Sequence, residues 1–165
     1  MLDSVTTTDA HLTELASHLI VAGGKRLRPV LTVIAGSVDG RAVTDDVVLG
    51  GVSCELVHLG SLYHDDVMDE SETRRGVETV NARWGNLQAI LAGDFLLARA
   101  SEIAAGLGTE VAGLLARTIG WLCEGQIEEL RHTYDVARSE ESYLTSIHGK
   151  TASLYGTAAR VGAIV

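Results

Sequence analysis

Apolar residues recur at three- and four-residue intervals along almost the whole chain, and only one of its 165 residues is proline. The first stripe, Leu12, Leu15, Ala16, Leu19 and Ile20, has the period of an amphipathic helix and not the alternation of a half-buried strand. A chain patterned in this way buries its apolar faces helix against helix. Its hydrophobic content of 46% includes only 4% aromatic residues, so Leu, Val, Ile and Ala do the packing. The length suits one domain over residues 1–165. The expected fold is all-α, a bundle of about six helices.

Helix-ending and helix-starting residues divide the chain. A helix over roughly 9–22 stops at Gly23-Gly24, and Pro29 opens a second over roughly 29–38 that Gly40 ends. Thr44 is an N-cap candidate, followed by Asp45 and Asp46 at the positive end of a helix that runs to about Asp69. Residues 70–78 read as a polar loop, and roughly 80–105 as a helix with a break at Trp84-Gly85-Asn86. Thr109 and Ser139 are the next cap candidates, for helices of about 110–135 and 140–161. No internal repeat, low-complexity tract or domain linker interrupts this series.

With 22 acidic against 13 basic residues the formal charge is -9, which excludes a general nucleic-acid binder. An anionic ligand must therefore be met by local basic clusters. Cys54 and Cys123 stand far apart with no Cys-x-x-Cys spacing, and both are read as reduced core thiols. No stretch approaches the roughly 18 apolar residues of a membrane span, and Met1-Leu2-Asp3-Ser4 lacks the basic start of a signal peptide. The expected location is cytoplasmic.

Asp65, Asp66 and Asp69 crowd the last turn of the helix that starts near Thr44. Spacings of three and four residues bring Asp69 close to both of the others, where like charges and the negative helix end oppose one another. A cation relieves this, and Mg²⁺ characteristically joins one or two carboxylates to substrate phosphates. The plain alternative is a solvated, Asp-rich helix end. Upstream, Gly23-Gly24-Lys25-Arg26-Leu27-Arg28-Pro29 gathers three cations beside flexible backbone near a helix start, a composition suited to a diphosphate. Read plainly, it is a basic turn facing water. Arg74-Arg75-Gly76 forms a second basic cluster. His58 lies seven residues before Asp65 and eleven before Asp69, within about 20° of the same helix face. On its own it reads equally as a hydrogen-bonded core histidine.

These segments, in this order, resemble the trans-isoprenyl (polyprenyl) diphosphate synthases: Gly23-Gly24-Lys25-Arg26-Leu27-Arg28-Pro29, Glu55-Leu56-Val57-His58, His64-Asp65-Asp66-Val67-Met68-Asp69, Arg74-Arg75-Gly76, Gly93-Asp94-Phe95, Gly125-Gln126 and Lys150-Thr151. The resemblance implies the isoprenoid synthase helical bundle and a Mg²⁺-dependent condensation of an allylic diphosphate with isopentenyl diphosphate. It implies that Asp65, Asp66 and Asp69 hold metal against the allylic diphosphate. Lys25, Arg28 and His58, with Arg75 alongside, match positions that hold isopentenyl diphosphate. Arg74 and Lys150 match contacts to the allylic diphosphate, and Thr151 and Gln126 match polar positions near the reacting prenyl chain. Gly60, Ser61 and Val57 lie below Asp65 without bulky aromatics, which implies products longer than farnesyl; ordinary helix packing against small residues is the alternative.

The family's second aspartate-rich motif does not occur by Val165, and Asp45-Asp46 lie at the wrong end of their helix, about 20 residues or ~30 Å from Asp65. The expectation is the N-terminal portion of such a bundle, weakly active or inactive alone and joined to its own copy or a complementary chain. Two other readings compete. One is a non-catalytic or regulatory half-subunit. The other is a di-metal carboxylate bundle built on Glu55-x-x-His58 and Glu129-x-x-His132, with Glu14, Glu102 or Glu124 completing it.

Overall fold

The computed structural model describes all 165 residues. Helices α1 (Leu2–Val5), α2 (Ala10–Val21), α3 (Leu27–Ser37) and α4 (Asp45–Met68) lead to a two-residue hairpin of β1 (Thr73–Arg74) and β2 (Val77–Glu78). Helices α5 (Val80–Trp84), α6 (Asn86–Gly106), α7 (Thr109–Arg131) and α8 (Glu140–Ile147) follow. A π-helical turn, His148–Ala152, then leads into α9 (Ser153–Ile164).

The all-α expectation is met, with corrections of detail. The helix expected over 80–105 divides at Gly85, whose φ of 90° suits a residue without a side chain. The one expected over 140–161 is α8, the π turn and α9 in series, and the expected loop 70–78 contains the hairpin. Caps explain several boundaries. The Thr44 hydroxyl accepts from the Val47 N–H and the Ser139 hydroxyl from the Ser142 N–H, as their types predict. Thr109 is not a cap: Gly108, with φ 117°, takes that position. Helix α7 also stops at Arg131, short of the expected end.

Helix α4 is the axis around which the others pack. It lies against α3, α5, α6 and α9, and its buried residues fall on every side, from Val47 through Cys54, Leu56 and Leu59 to Tyr63. A helix surrounded in this way needs no single apolar stripe. The Tyr63 hydroxyl donates to the Leu15 carbonyl at 2.6 Å, which ties α2 to the last turns of α4. On the far side the Thr32 hydroxyl donates to the Ala158 carbonyl at 2.9 Å and joins α3 to α9. The C-terminal end of α4 is held between α2, the hairpin and α6. No helix is long and apolar enough to cross a membrane.

Candidate active site

A cavity of about 700 Å³ opens beside the C-terminal half of α4. Ten of its nineteen lining residues are hydrophobic, including Leu62, Leu122, Ile127 and Leu154. The polar remainder includes Arg28, His58, Ser61, Asp65, Gln126, Lys150 and Thr151. Charged groups at the edge of an apolar hollow suit a ligand with an anionic head and a hydrocarbon tail.

The three aspartates part company. Asp65 is half-buried on the cavity wall, where burial raises its carboxyl above the usual range while the Lys150 ammonium opposes that shift. Asp66 is 2% exposed and accepts a hydrogen bond from Arg74 Nε at 2.6 Å. Burial raises its carboxyl too, against the pull of Arg74. Asp69 caps the helix, its N–H donating to the Asp65 carbonyl at 2.8 Å, and its side chain is exposed. Neighbouring helical residues point about 100° apart, so Asp65 and Asp66 face different surroundings. No three His, Cys, Asp or Glu side chains converge into a metal cage. Asp65 and Asp69, one turn apart, fit the open mode in which one or two carboxylates share a divalent cation with phosphate oxygens.

The basic segments are built by long-range contacts. In the hairpin, Thr73 pairs with Glu78 and Arg74 with Val77, so the turn is Arg75-Gly76, with φ of 55° and 79°. Two successive positive φ values suit a tight two-residue hairpin turn. Arg75 donates to the carbonyls of Leu19 and Gly23, closing the exposed end of α2. A Cβ on Gly24 would come within 2.9 Å of the Arg75 guanidinium, and the φ of 136° there also excludes other residues. Arg26 donates to Glu55 Oε1 and to the Ile20 carbonyl, each at 2.8 Å. Arg28 is 7% exposed, stacks on the Tyr155 ring at 4.4 Å, and has its Nε buried without a partner. Lys25 is exposed on the turn, outside the cavity lining.

Across the cavity, the Lys150 ammonium donates to Glu129, and Gln126 Oε1 is buried without a partner. The π turn carries Lys150 and Thr151 to the cavity where a regular helix would rotate them elsewhere. It rests on α7 through Gly149 and Gly125 with no side chain between the backbones.

The family model described as polyprenyl synthetase matches residues 9–165 of this chain. The chain belongs to that family. The nonaprenyl diphosphate synthase of Mycobacterium tuberculosis is 45% identical over 93% of the chain and 46% of its own length. Heptaprenyl diphosphate synthase component 2 of Geobacillus stearothermophilus is 40% identical over 93% of the chain and 48% of its own length. A decaprenyl diphosphate synthase from Rhodobacter capsulatus superposes with a TM-score of 0.93 at 38% identity, over 99% of this chain and 50% of that one. A polyprenyl synthase from Caulobacter crescentus, solved with calcium and isoprenyl diphosphate, superposes at 0.94 over the same shares. The chain spans about half the length of these relatives.

Within this polyprenyl synthetase bundle, the cavity brings together Arg28, His58, Ser61, Asp65, Gln126, Lys150 and Thr151 from the expected site. Five others stand back from it as supports or rim: Lys25, Asp69, Arg75, Arg74, and Asp66 behind Arg74. Gly60 packs on α6, where a Cβ would meet the Gly93 carbonyl at 3.0 Å, and Val57 is fully buried in the core, so only Ser61 of the three chain-length candidates reaches the wall. Cys54 is a core thiol that burial raises to about 12, whereas Cys123 is exposed on the cavity side, contrary to expectation. The di-metal alternative fails because no three His, Cys, Asp or Glu side chains come together, and three of its four anchors are paired elsewhere: Glu55 with Arg26, Glu129 with Lys150, and His132 with Glu128. Sequence reasoning passed over Tyr155 and the pairings of Arg26 with Glu55 and of Lys150 with Glu129. A buried carboxylate on an otherwise apolar stretch of α4 was the available signal, since such a group demands a cation.

Burial, and after it Arg28, Arg75, Arg74 and Arg26, push the His58 pKa down to about 3 from an ordinary 6.5. Between those values the unfolded chain binds a proton that the folded one does not. His58 therefore costs nothing above pH 6.5, and its contribution falls progressively as the pH drops from there toward 3. Denaturant titrations of the wild type and His58→Gln from pH 4 to 7.5 are expected to show the wild type losing ground to the variant only below about pH 6.5. A pH-independent difference would contradict a neutral, buried imidazole.

Proposed function

We propose that this chain gathers the two substrates of a polyprenyl diphosphate synthase, isopentenyl diphosphate and an allylic diphosphate, for a Mg²⁺-dependent condensation that lengthens an isoprenoid. The reading rests on one observation: Arg28 and His58, Asp65, and Lys150 border a single hollow whose remaining lining is mostly apolar. In it, Arg28 and the Lys25 turn take the isopentenyl diphosphate, with neutral His58 donating one N–H. Asp65 and Asp69 would hold Mg²⁺, which would supply positive charge for the departing allylic diphosphate. Lys150 leaves Glu129 for that same diphosphate, and Arg74 stays against Asp66 at its edge.

The reaction needs little more from the protein. The allylic C–O bond breaks with its electron pair leaving on the diphosphate, and fixed cations stabilise the charge that develops. The isopentenyl double bond supplies the electrons of the new C–C bond, and a proton is lost from the resulting cation. Leu62, Leu122 and Leu154 keep water from the carbocation and give the growing tail an apolar bed. Ser61 is the wall residue that sets how far that tail extends, with room for products longer than farnesyl.

Exposed apolar side chains run along α3 and its cap at Val30, Ile34 and Val38, and along α7 and α8 at Trp121, Leu130 and Tyr143. They support association with a second copy or a complementary chain, in keeping with a relative named as a component. Calorimetric titration tests the substrate reading. Isopentenyl diphosphate is expected to bind without metal, and a farnesyl thiodiphosphate only with Mg²⁺. Absence of saturable binding by both would overturn it. Turnover of labelled isopentenyl diphosphate by the chain alone is expected to be slow, and to rise when a partner is supplied.

A further inference from the structure

We propose that Arg26 and Glu55 form a buried strut that shapes the Gly23–Pro29 turn for isopentenyl diphosphate, making them positioning residues for one substrate and not the other. The inference rests on the substrate reading above. Glu55 is 1% exposed, in the middle of the most enclosed helix. A carboxylate there is a poor choice for stability alone, because well-packed apolar residues commonly serve a core as well or better. Its hydrogen-bond partner is Arg26, and its second oxygen has none. The same Arg26 guanidinium also holds the Ile20 carbonyl at 2.8 Å, so one side chain fastens the end of α2 to the centre of α4.

The backbone at Arg26 explains what is being fastened. Arg26 has a φ of 52°, left-handed and costly for a residue with a side chain, two residues after Gly24 at 136° and just before α3 begins. Such a turn holds its shape when other contacts over-determine it. Two residues on, Arg28 enters the cavity with an unpartnered Nε and its ring partner Tyr155. One helical turn beyond Glu55 on α4 comes His58, on the same wall. The strut therefore stands behind both groups assigned to isopentenyl diphosphate. The opposite end of the site is braced separately, by Arg74 on Asp66 and by Glu129 on Lys150.

The deciding variant is Arg26→Met with Glu55→Met in the full chain. Removing both charges together leaves neither member of the pair orphaned, so thermal stability is expected to stay close to that of the wild type. Isopentenyl diphosphate affinity, measured by calorimetry, is expected to fall about tenfold or more, while Mg²⁺-dependent binding of farnesyl thiodiphosphate stays within about twofold. Arg26→Lys, which keeps the charge on Glu55 but releases the Ile20 carbonyl, is expected to weaken isopentenyl diphosphate alone, by roughly threefold. It also serves if the double variant does not fold. Unchanged isopentenyl affinity in either folded variant, or parallel loss of both ligands, overturns the strut. A wild type that binds no isopentenyl diphosphate overturns the substrate reading, and this inference with it.

Discussion

Asp65→Ala abolishes Mg²⁺-dependent binding of an allylic diphosphate analogue, with an expected loss of at least about a hundredfold, or about 2.7 kcal/mol. Its neighbour behaves differently. Asp66→Asn lowers stability by about 1 to 3 kcal/mol, because Arg74 loses a buried charged acceptor, and it weakens the analogue less than Asp65→Ala does. The contrast follows from their environments: Asp65 lines the cavity, whereas Asp66 is closed off behind Arg74. Calorimetry with and without Mg²⁺, beside thermal denaturation, separates the two effects. Equal losses of ligand for the two variants would show that the aspartates act as one cluster, against the geometry described.

The second large effect falls on a residue that touches no substrate. A Cβ at Gly125 would lie 2.3 Å from the Lys150 nitrogen, 2.7 Å from the Ser146 carbonyl oxygen and 2.8 Å from the Gly149 carbonyl carbon. All three are backbone atoms, so no flexible side chain yields, and α7 and the π turn must separate. Overpacking of this kind costs about 1 to 3 kcal/mol, and in a domain of this size each kcal/mol lowers the melting temperature by about 2 to 4 °C. Gly125→Ala is accordingly expected to melt several degrees lower and to carry Lys150 and Thr151 away from the cavity. Allylic binding should weaken, and isopentenyl binding, governed from the other wall, should not. A wild-type melting temperature in Gly125→Ala would mean that the two backbones have slack.

The helical period announced the fold, and the seven-residue interval from His58 to Asp65 correctly placed both on one wall, because face and spacing along a helix are local properties. The separation of Asp65 from Asp66 was equally available, since adjacent residues on a helix cannot share a face. What the spacing left open was pairing at a distance. Arg26 meets Glu55 across 29 positions, and Arg75 reaches Leu19 across 56. Counting cations in a motif does not tell which meet ligand and which hold backbone: Arg28 faces the hollow, whereas Arg26 and Arg75 serve the end of α2. Gly60 shows the opposite confusion. Its missing side chain reads as room for product but accommodates α6. The π turn had no periodic signature, and the close approach of its Gly149 to Gly125 of α7 is a long-range contact that spacing does not reveal.

Arg75, at the hairpin tip, is moored to carbonyls at the end of α2. Two stretches of chain half a hundred residues apart thus behave as one mechanical part. A lengthened or shortened hairpin would not be absorbed locally, as surface loops usually allow, but would be felt in the glycine-rich bend beyond α2. Sequence drift in either stretch is consequently answerable to the other, and a graft from a relative should carry both together.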